Sequence, residues 1–200
     1  MSVWIKVCGL TSADAVEAAI DAGVDAVGFV FAESKRKVTP QRAAELARDV
    51  PRHVMRVAVM LHPSQRELDE VWSHFRPDVL QTDSEDLPAL RVPEALLVMP
   101  VYRSGRSLPA ALPSRLLFEG PVSGSGATGD WTAAAALASR TQVVLAGGLK
   151  PTNVADAIAI ARPFGVDVSS GVEAQPGVKD PARIYEFVRA ARAADNGVNR

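Results

Sequence analysis

Cys8 is the only cysteine in the chain, and it stands where a thiol could do chemistry. It ends the apolar run Trp4-Ile5-Lys6-Val7-Cys8 and precedes Gly9. A lone free cysteine is most often just a small buried apolar residue. A thiol at the carboxyl end of a strand, followed by glycine, is better placed to react. Two glycine-rich turns, Ala146-Gly147-Gly148-Leu149 and Ser169-Ser170-Gly171-Val172, suit a phosphate, because glycines let backbone amides approach an anion. Either alone could be an ordinary tight turn, and their pairing favours the anion. Gln81, Asp83, Glu119 and Asp167 supply polar groups at the ends of other apolar runs. His53, His62 and His74 lack ligand spacing, so no metal is expected.

The elements that must position these groups form a recurring unit of strand, then helix. Trp4 to Cys8 has strand length, and Thr11-Ser12-Ala13-Asp14 resembles a capping box opening a helix through about Ala22. Ala26 to Phe31 repeats the strand, and Thr39-Pro40 starts a helix ending near Val50. Met55 to Met60 follows, then Pro63-Ser64 and a helix with Leu68, Val71, Trp72 and Phe75 on one face. Val79 to Gln81 and Leu96 to Val101 read as strands four and five, with a weak helix near Leu87 and only the proline-broken Leu108 to Leu112 after the fifth. Arg115 to Glu119, Val143 to Ala146 and Val166 to Ser169 complete the strands. The last three helices run from Asp130 to about Arg140, from about Thr152 to Ala161, and from Asp180-Pro181 to about Ala194.

Eight such units with near-continuous apolar strands call for a parallel sheet covered on both faces, and point to a single α/β domain over residues 1–200, a (β/α)8 TIM barrel. The competitor is an open doubly wound sheet, but no Gly-x-Gly-x-x-Gly turn follows the first strand. In a barrel the reactive groups gather at the carboxyl ends of the strands, which selects Cys8, Arg36, Gln81, Asp83, Glu119, Gly147, Gly148, Asp167, Ser169, Ser170 and Gly171. The glycine-rich stretch 120–129 reads either as a cover over the mouth or as a surface loop.

Composition excludes several function classes. The 22 basic and 23 acidic residues are scattered and give a net charge of −1, so there is no concentrated basic face for nucleic acid or a membrane surface. No apolar run approaches the ~20 residues of a membrane helix, and no secretory signal is visible. A single cysteine allows no internal disulfide, which points to the cytoplasm.

Lys6-Val7-Cys8-Gly9-Leu10-Thr11, Asp25 to Phe31, Ser34-Lys35-Arg36, Ala146 to Leu149 and Val166 to Glu173 resemble, in order, the signature segments of the phosphoribosylanthranilate isomerase family. The resemblance runs from residue 5 to about 190. It implies an Amadori rearrangement of N-(5-phosphoribosyl)anthranilate in tryptophan biosynthesis, with no cofactor. The partner is a small phosphorylated molecule, not nucleic acid or a membrane, and the enzyme is a monomer or weak homodimer. Opening the sugar ring needs an acid at the ring oxygen, and a base must then take the proton from C2. By resemblance the base is Cys8, provided positive charge or dipoles lower its pKa. Arg36 matches an arginine whose fork suits the anthranilate carboxylate, while Lys35 and Lys37 read as solvated charges. Gln81 and Asp167 join the substrate-binding set, Asp167 either orienting substrate or satisfying buried polar groups.

Two positions depart from the family pattern. Where the family usually ends its sixth strand in aspartate, this chain has Glu119, which keeps the carboxyl and adds a methylene. Where the family has Gln-Leu-His-Gly, this chain has Gln81-Thr82-Asp83-Ser84, so Asp83 reads as a loop residue or as a substitute acid. Rival readings are a histidine-pathway isomerase of the same chemistry, which Cys8 argues against, the next lyase of tryptophan synthesis, and a barrel that binds a sugar phosphate without turning it over.

Overall fold

The computed structural model describes residues 2–120 and 130–198, so most of the 120–129 stretch lies outside the described residues. Eight parallel strands close into a barrel in chain order: β1 (Trp4–Cys8), β2 (Ala26–Val30), β3 (Met55–Val59), β4 (Val79–Asp83), β5 (Leu97–Arg103), β6 (Arg115–Glu119), β7 (Gln142–Leu145) and β8 (Gly165–Val168). The ring is sealed by β8 on β1, in a register that sets Lys6 opposite Asp167. Six helices cover it: α1 (Ala13–Asp21), α2 (Pro40–Leu46), α3 (Gln65–His74), α4 (Trp131–Ala138), α5 (Val154–Ala161) and α6 (Pro181–Val198). Only a 3-10 turn at Leu87–Ala89 follows β4, and 108–112 is irregular. A two-stranded hairpin, β9 (Glu173–Gln175) with β10 (Val178–Lys179), follows the last barrel strand.

Local chemistry explains the helix starts. Ser64 and Glu67 form a reciprocal capping box on α3, Thr39 accepts from the Arg42 amide with Pro40 in the first turn of α2, and Asp130 accepts from the Ala133 amide on α4. The first cap differs from the sequence reading: Ser12, not Thr11, caps α1 by accepting from Ala15, and Thr11 instead donates to the Gly177 carbonyl.

Each strand sorts its side chains by parity. Ile5, Val7, Phe29, Leu80, Leu116, Phe118 and Leu145 point outward into the layer shared with the helices. Ala26, Val57, Val79, Met99, Leu117 and Val144 fill the interior. Two strands run further than their apolar runs suggest. β4 continues through Thr82 to Asp83 and β5 through Tyr102 to Arg103, so Asp83 belongs to a strand and not to a loop. These extensions are polar because they form the mouth.

Leu117 is fully buried among Val101 and Val144 inside the barrel. Leu117→Ala should lower unfolding stability by about 2–5 kcal/mol, read as a lower urea midpoint. A loss below about 1 kcal/mol would show that the interior collapses around the gap and is not close-packed there.

Candidate active site

The strand ends surround a cavity of about 260 Å³ at the carboxyl-terminal mouth. Cys8, Gln81, Asp83, Arg103, Glu119 and Asp167 line it from the barrel, and Arg36, Gly147, Gly148, Ser169 and Ser170 line it from the loops. Every residue selected from the sequence therefore reaches the cavity wall except Gly171. Gly171 sits behind the wall, where a Cβ would lie 1.9 Å from the Leu149 carbonyl oxygen, so no other residue lets the two glycine turns pack together. Gly147 and Gly148 hold consecutive positive φ angles of 90° and 65°, conformations that side-chain-bearing residues rarely adopt.

Cys8 occupies one side of the mouth. Its thiol is buried beside Lys6, whose ammonium is completely shielded from solvent and bonds Asp167 Oδ1 at 2.9 Å. Burial works against the Lys6 charge, but Asp167 and the Cys8 thiol outweigh it, and the Lys6 pKa is raised. The thiol itself departs from the sequence expectation. Burial pushes Cys8 up from the ordinary thiol value, and the cations Lys6 and Lys179 offset only part of that rise. The reason is desolvation: the positive charges that favour a thiolate are already committed to carboxylates.

A second network ties Arg36 down. Arg36 donates through Nε to Glu173 Oε1 at 2.6 Å and through Nη2 to Glu173 Oε2 at 3.0 Å. Its Nε and Nη2 are thus spent on Glu173, where the sequence reading expects a bidentate face turned to a ligand. Glu173 is shared with buried Lys179, which donates to it at 2.8 Å and to the Ser169 carbonyl at 3.0 Å. Ser169 Oγ donates to the Cys8 carbonyl at 3.1 Å, which links the network to the base strand. Burial opposes ionisation of Glu173, but Arg36 and Lys179 hold its carboxyl down at about 2.

Opposing these groups is a carboxylate cluster built on Arg103, a residue with no place among those selected from the sequence. Arg103 Nη1 donates to Asp83 Oδ2 at 2.6 Å, and Nη2 lies 3.1 Å from Glu119 Oε1. Burial lowers the Arg103 pKa less than its carboxylate partners raise it, with the Asp83 hydrogen bond the largest influence. Gln81 Oε1 is buried at the cavity and has no hydrogen-bond partner among the described residues. Lys6 and Arg103 leave a signal in the sequence, whereas Glu173 and Lys179 do not. Lys6 shares strand parity with Cys8, and Arg103 with Val101, so each faces inward if its neighbour does.

A closed eight-stranded parallel barrel with a thiol, carboxyls and two glycine turns at its carboxyl-terminal mouth defines a (β/α)8-barrel enzyme acting on a small molecule. The comparisons with known proteins narrow the class. The family model described as N-(5'phosphoribosyl)anthranilate (PRA) isomerase matches residues 5–190. The N-(5'-phosphoribosyl)anthranilate isomerase of Paracoccus denitrificans is 42% identical over 213 residues, covering 96% of this chain and 99% of that protein. The crystal structure of TrpF from Jonesia denitrificans superposes with a TM-score of 0.80 at 36% identity, covering 99% of this chain and 98% of the other. A phosphoribosyl anthranilate isomerase in complex with reduced 1-(o-carboxyphenylamino)-1-deoxyribulose 5-phosphate gives a TM-score of 0.77 at 30% identity, over 96% of this chain and 99% of the other. The chain belongs to the N-(5'-phosphoribosyl)anthranilate isomerase family.

Glu173 carries a pH signature. Its folded carboxyl titrates near about 2 against an ordinary value of 4.5, so the native state favours the ionised form. That contribution is complete above about pH 4.5 and drains away as the pH falls toward about 2. Glu173→Gln should cost about 3 kcal/mol at neutral pH, because two buried cations lose their shared anion. The stability gap between the two proteins should narrow as urea unfolding is stepped down through the acid range. A gap that stays constant would contradict the assignment.

Proposed function

We propose that Cys8 is the base and Glu119 the acid of the Amadori rearrangement carried out in this mouth. The chain is an isomerase of tryptophan biosynthesis that converts N-(5-phosphoribosyl)anthranilate to 1-(2-carboxyphenylamino)-1-deoxyribulose 5-phosphate. One observation carries the role assignment: a thiol on β1 and a carboxyl on β6, three strands apart around the ring, line the same cavity.

The atoms balance with one acid and one base. Glu119 gives its proton to the furanose oxygen as the C1–O bond breaks, and the anthranilate nitrogen lone pair forms the C=N bond of a protonated Schiff base. The Cys8 thiolate takes the proton from C2, and the electron pair flows toward nitrogen to give an enolamine. Return of a proton to C1 and loss of the C2 hydroxyl proton yield the ketone. Because burial raises the Cys8 pKa, the thiolate is the minor form at neutral pH but a strong base once formed, with the Lys6 ammonium beside it.

The remaining groups bind. The amides around Gly147, Gly148, Ser169 and Ser170 receive the phosphate, with Gly171 allowing the two turns to meet. Arg36 presents its free edge to the anthranilate carboxylate, and Gln81 and Asp167 orient the sugar hydroxyls. Asp167 does so while also compensating Lys6. We place the enzyme in the cytoplasm as a monomer or weak homodimer working without a cofactor, over one domain spanning 1–200. Its single cysteine supports that placement, and among the described residues no helix is long and apolar enough to cross a membrane.

Expression of the chain should rescue a tryptophan auxotroph lacking the isomerase and leave a histidine auxotroph unrescued; rescue of the histidine strain alone would overturn the substrate. Cys8→Ser and Glu119→Gln should each lower kcat by roughly 10²-fold or more while affinity for the reduced product is kept. Near-normal turnover in either variant would move that role to another residue.

A further inference from the structure

Glu119 can deliver a proton only if it holds one, and the charges around it decide how firmly. On the adjoining strand β5, Arg103 Nη2 lies 3.1 Å from Glu119 Oε1. On β4, Asp83 grips the same guanidinium through Nη1 at 2.6 Å. From the other neighbour, β7, the chain continues into uncharged Ala146 and Gly147, and residues 120–129 contain no ionisable side chain. The other charged groups lining the cavity are Cys8, Asp167, Glu33 and Arg36, which come from β1, β8 and the segment after β2, and His62 pairs with Asp86 at 2.8 Å near β4.

With both carboxyls ionised, the Arg103 cluster carries a net charge of −1 in a largely buried wall. With one proton on Glu119 it is neutral. Burial favours the neutral arrangement, and of the two contacts on the guanidinium the one to Asp83 is the shorter.

We propose that Asp83 and Arg103 are positioning residues for the acid: Asp83 absorbs the guanidinium charge so that Glu119 can keep its proton, and Arg103 fixes the Glu119 carboxyl at the mouth. The proposal rests on Glu119 being the acid. Without Asp83, the guanidinium turns wholly to Glu119 and a like charge disappears, and both changes favour ionised Glu119. Without Arg103, two carboxyls face each other with no cation between them, which favours the proton.

The test is a carboxyl carbon-13 titration of the full-length enzyme, with the Glu119 signal identified by its absence in Glu119→Gln. Asp83→Asn should move the Glu119 midpoint down by about one pH unit or more, and Arg103→Gln should move it up by a similar amount. The double variant, which removes both charges of the pair, should lie nearer the unaltered enzyme than either single change. In pH profiles of kcat/KM, the limb governed by Glu119 should move in the same directions. Asp83→Asn is isosteric, and the double variant serves as the test if either single variant fails to fold. If Glu119→Gln is inactive but the midpoint is unmoved in Asp83→Asn, or the double variant matches Asp83→Asn alone, the proposal is overturned and the acid assignment stands. If Glu119→Gln turns over normally, the acid assignment itself fails.

Discussion

Closure of the ring by β8 on β1 is the constraint on which the rest of the molecule depends, because it commits alternate residues of every strand to a dry interior. A charge on an inward position then has nowhere to go but to another inward charge. Lys6 meets Asp167, with the strand register itself setting them opposite each other. Arg103 meets Asp83 and Glu119 across three neighbouring strand ends. Below the mouth the interior is apolar, filled by residues such as Val57, Met99 and Leu117. The site is therefore the place where the parity rule continues but apolar filling stops.

The charges divide the mouth into two halves of opposite purpose. Around Cys8, ammonium groups at Lys6 and Lys179 stand ready to favour a thiolate, yet each is already paired and the thiol stays up in pKa. Around Glu119, a single guanidinium serves two carboxyls. Burial holds the thiol in its protonated form, while the Glu119 carboxyl shares its guanidinium with Asp83. The loops add a third network, since Glu173 holds Arg36 and Lys179 together, Lys179 donates to the Ser169 carbonyl, and Ser169 Oγ donates to the carbonyl of Cys8. Arg36 and the strand end that carries Cys8 are mechanically joined through that chain.

Much of this was legible from residue order alone. Strands β1, β2, β3 and β6 were read nearly to their ends, because their apolar runs stop where their hydrogen bonding stops. β4 and β5 were cut short by two residues each, since Thr82-Asp83 and Tyr102-Arg103 are polar or amphipathic and only the closed mouth makes polar strand ends favourable. That error hid Arg103 altogether and made Asp83 look like a loop residue. The parity of Lys6 with Cys8 on β1 implies its burial, but a lysine in an apolar run shows that only once its anionic partner on β8 is in place. Glu173 and Lys179 could not be found locally, because their partnership depends on the β9–β10 hairpin returning to the mouth. The fork of Arg36 was assigned to a ligand because sequence shows a guanidinium but not the carboxylate already occupying it.

The claim at the centre of this account is that Cys8 and Glu119 flank the same sugar carbons, and a crystal structure with the reduced product bound reads it directly. The account predicts the phosphate on the amides of the turns at Gly147-Gly148 and Ser169-Ser170, with C2 against the Cys8 sulfur. A sugar oxygen should lie within about 3 Å of the Glu119 carboxyl. A ligand bound in the reverse sense, or one that leaves either group out of hydrogen-bonding or van der Waals reach of the sugar, would contradict it.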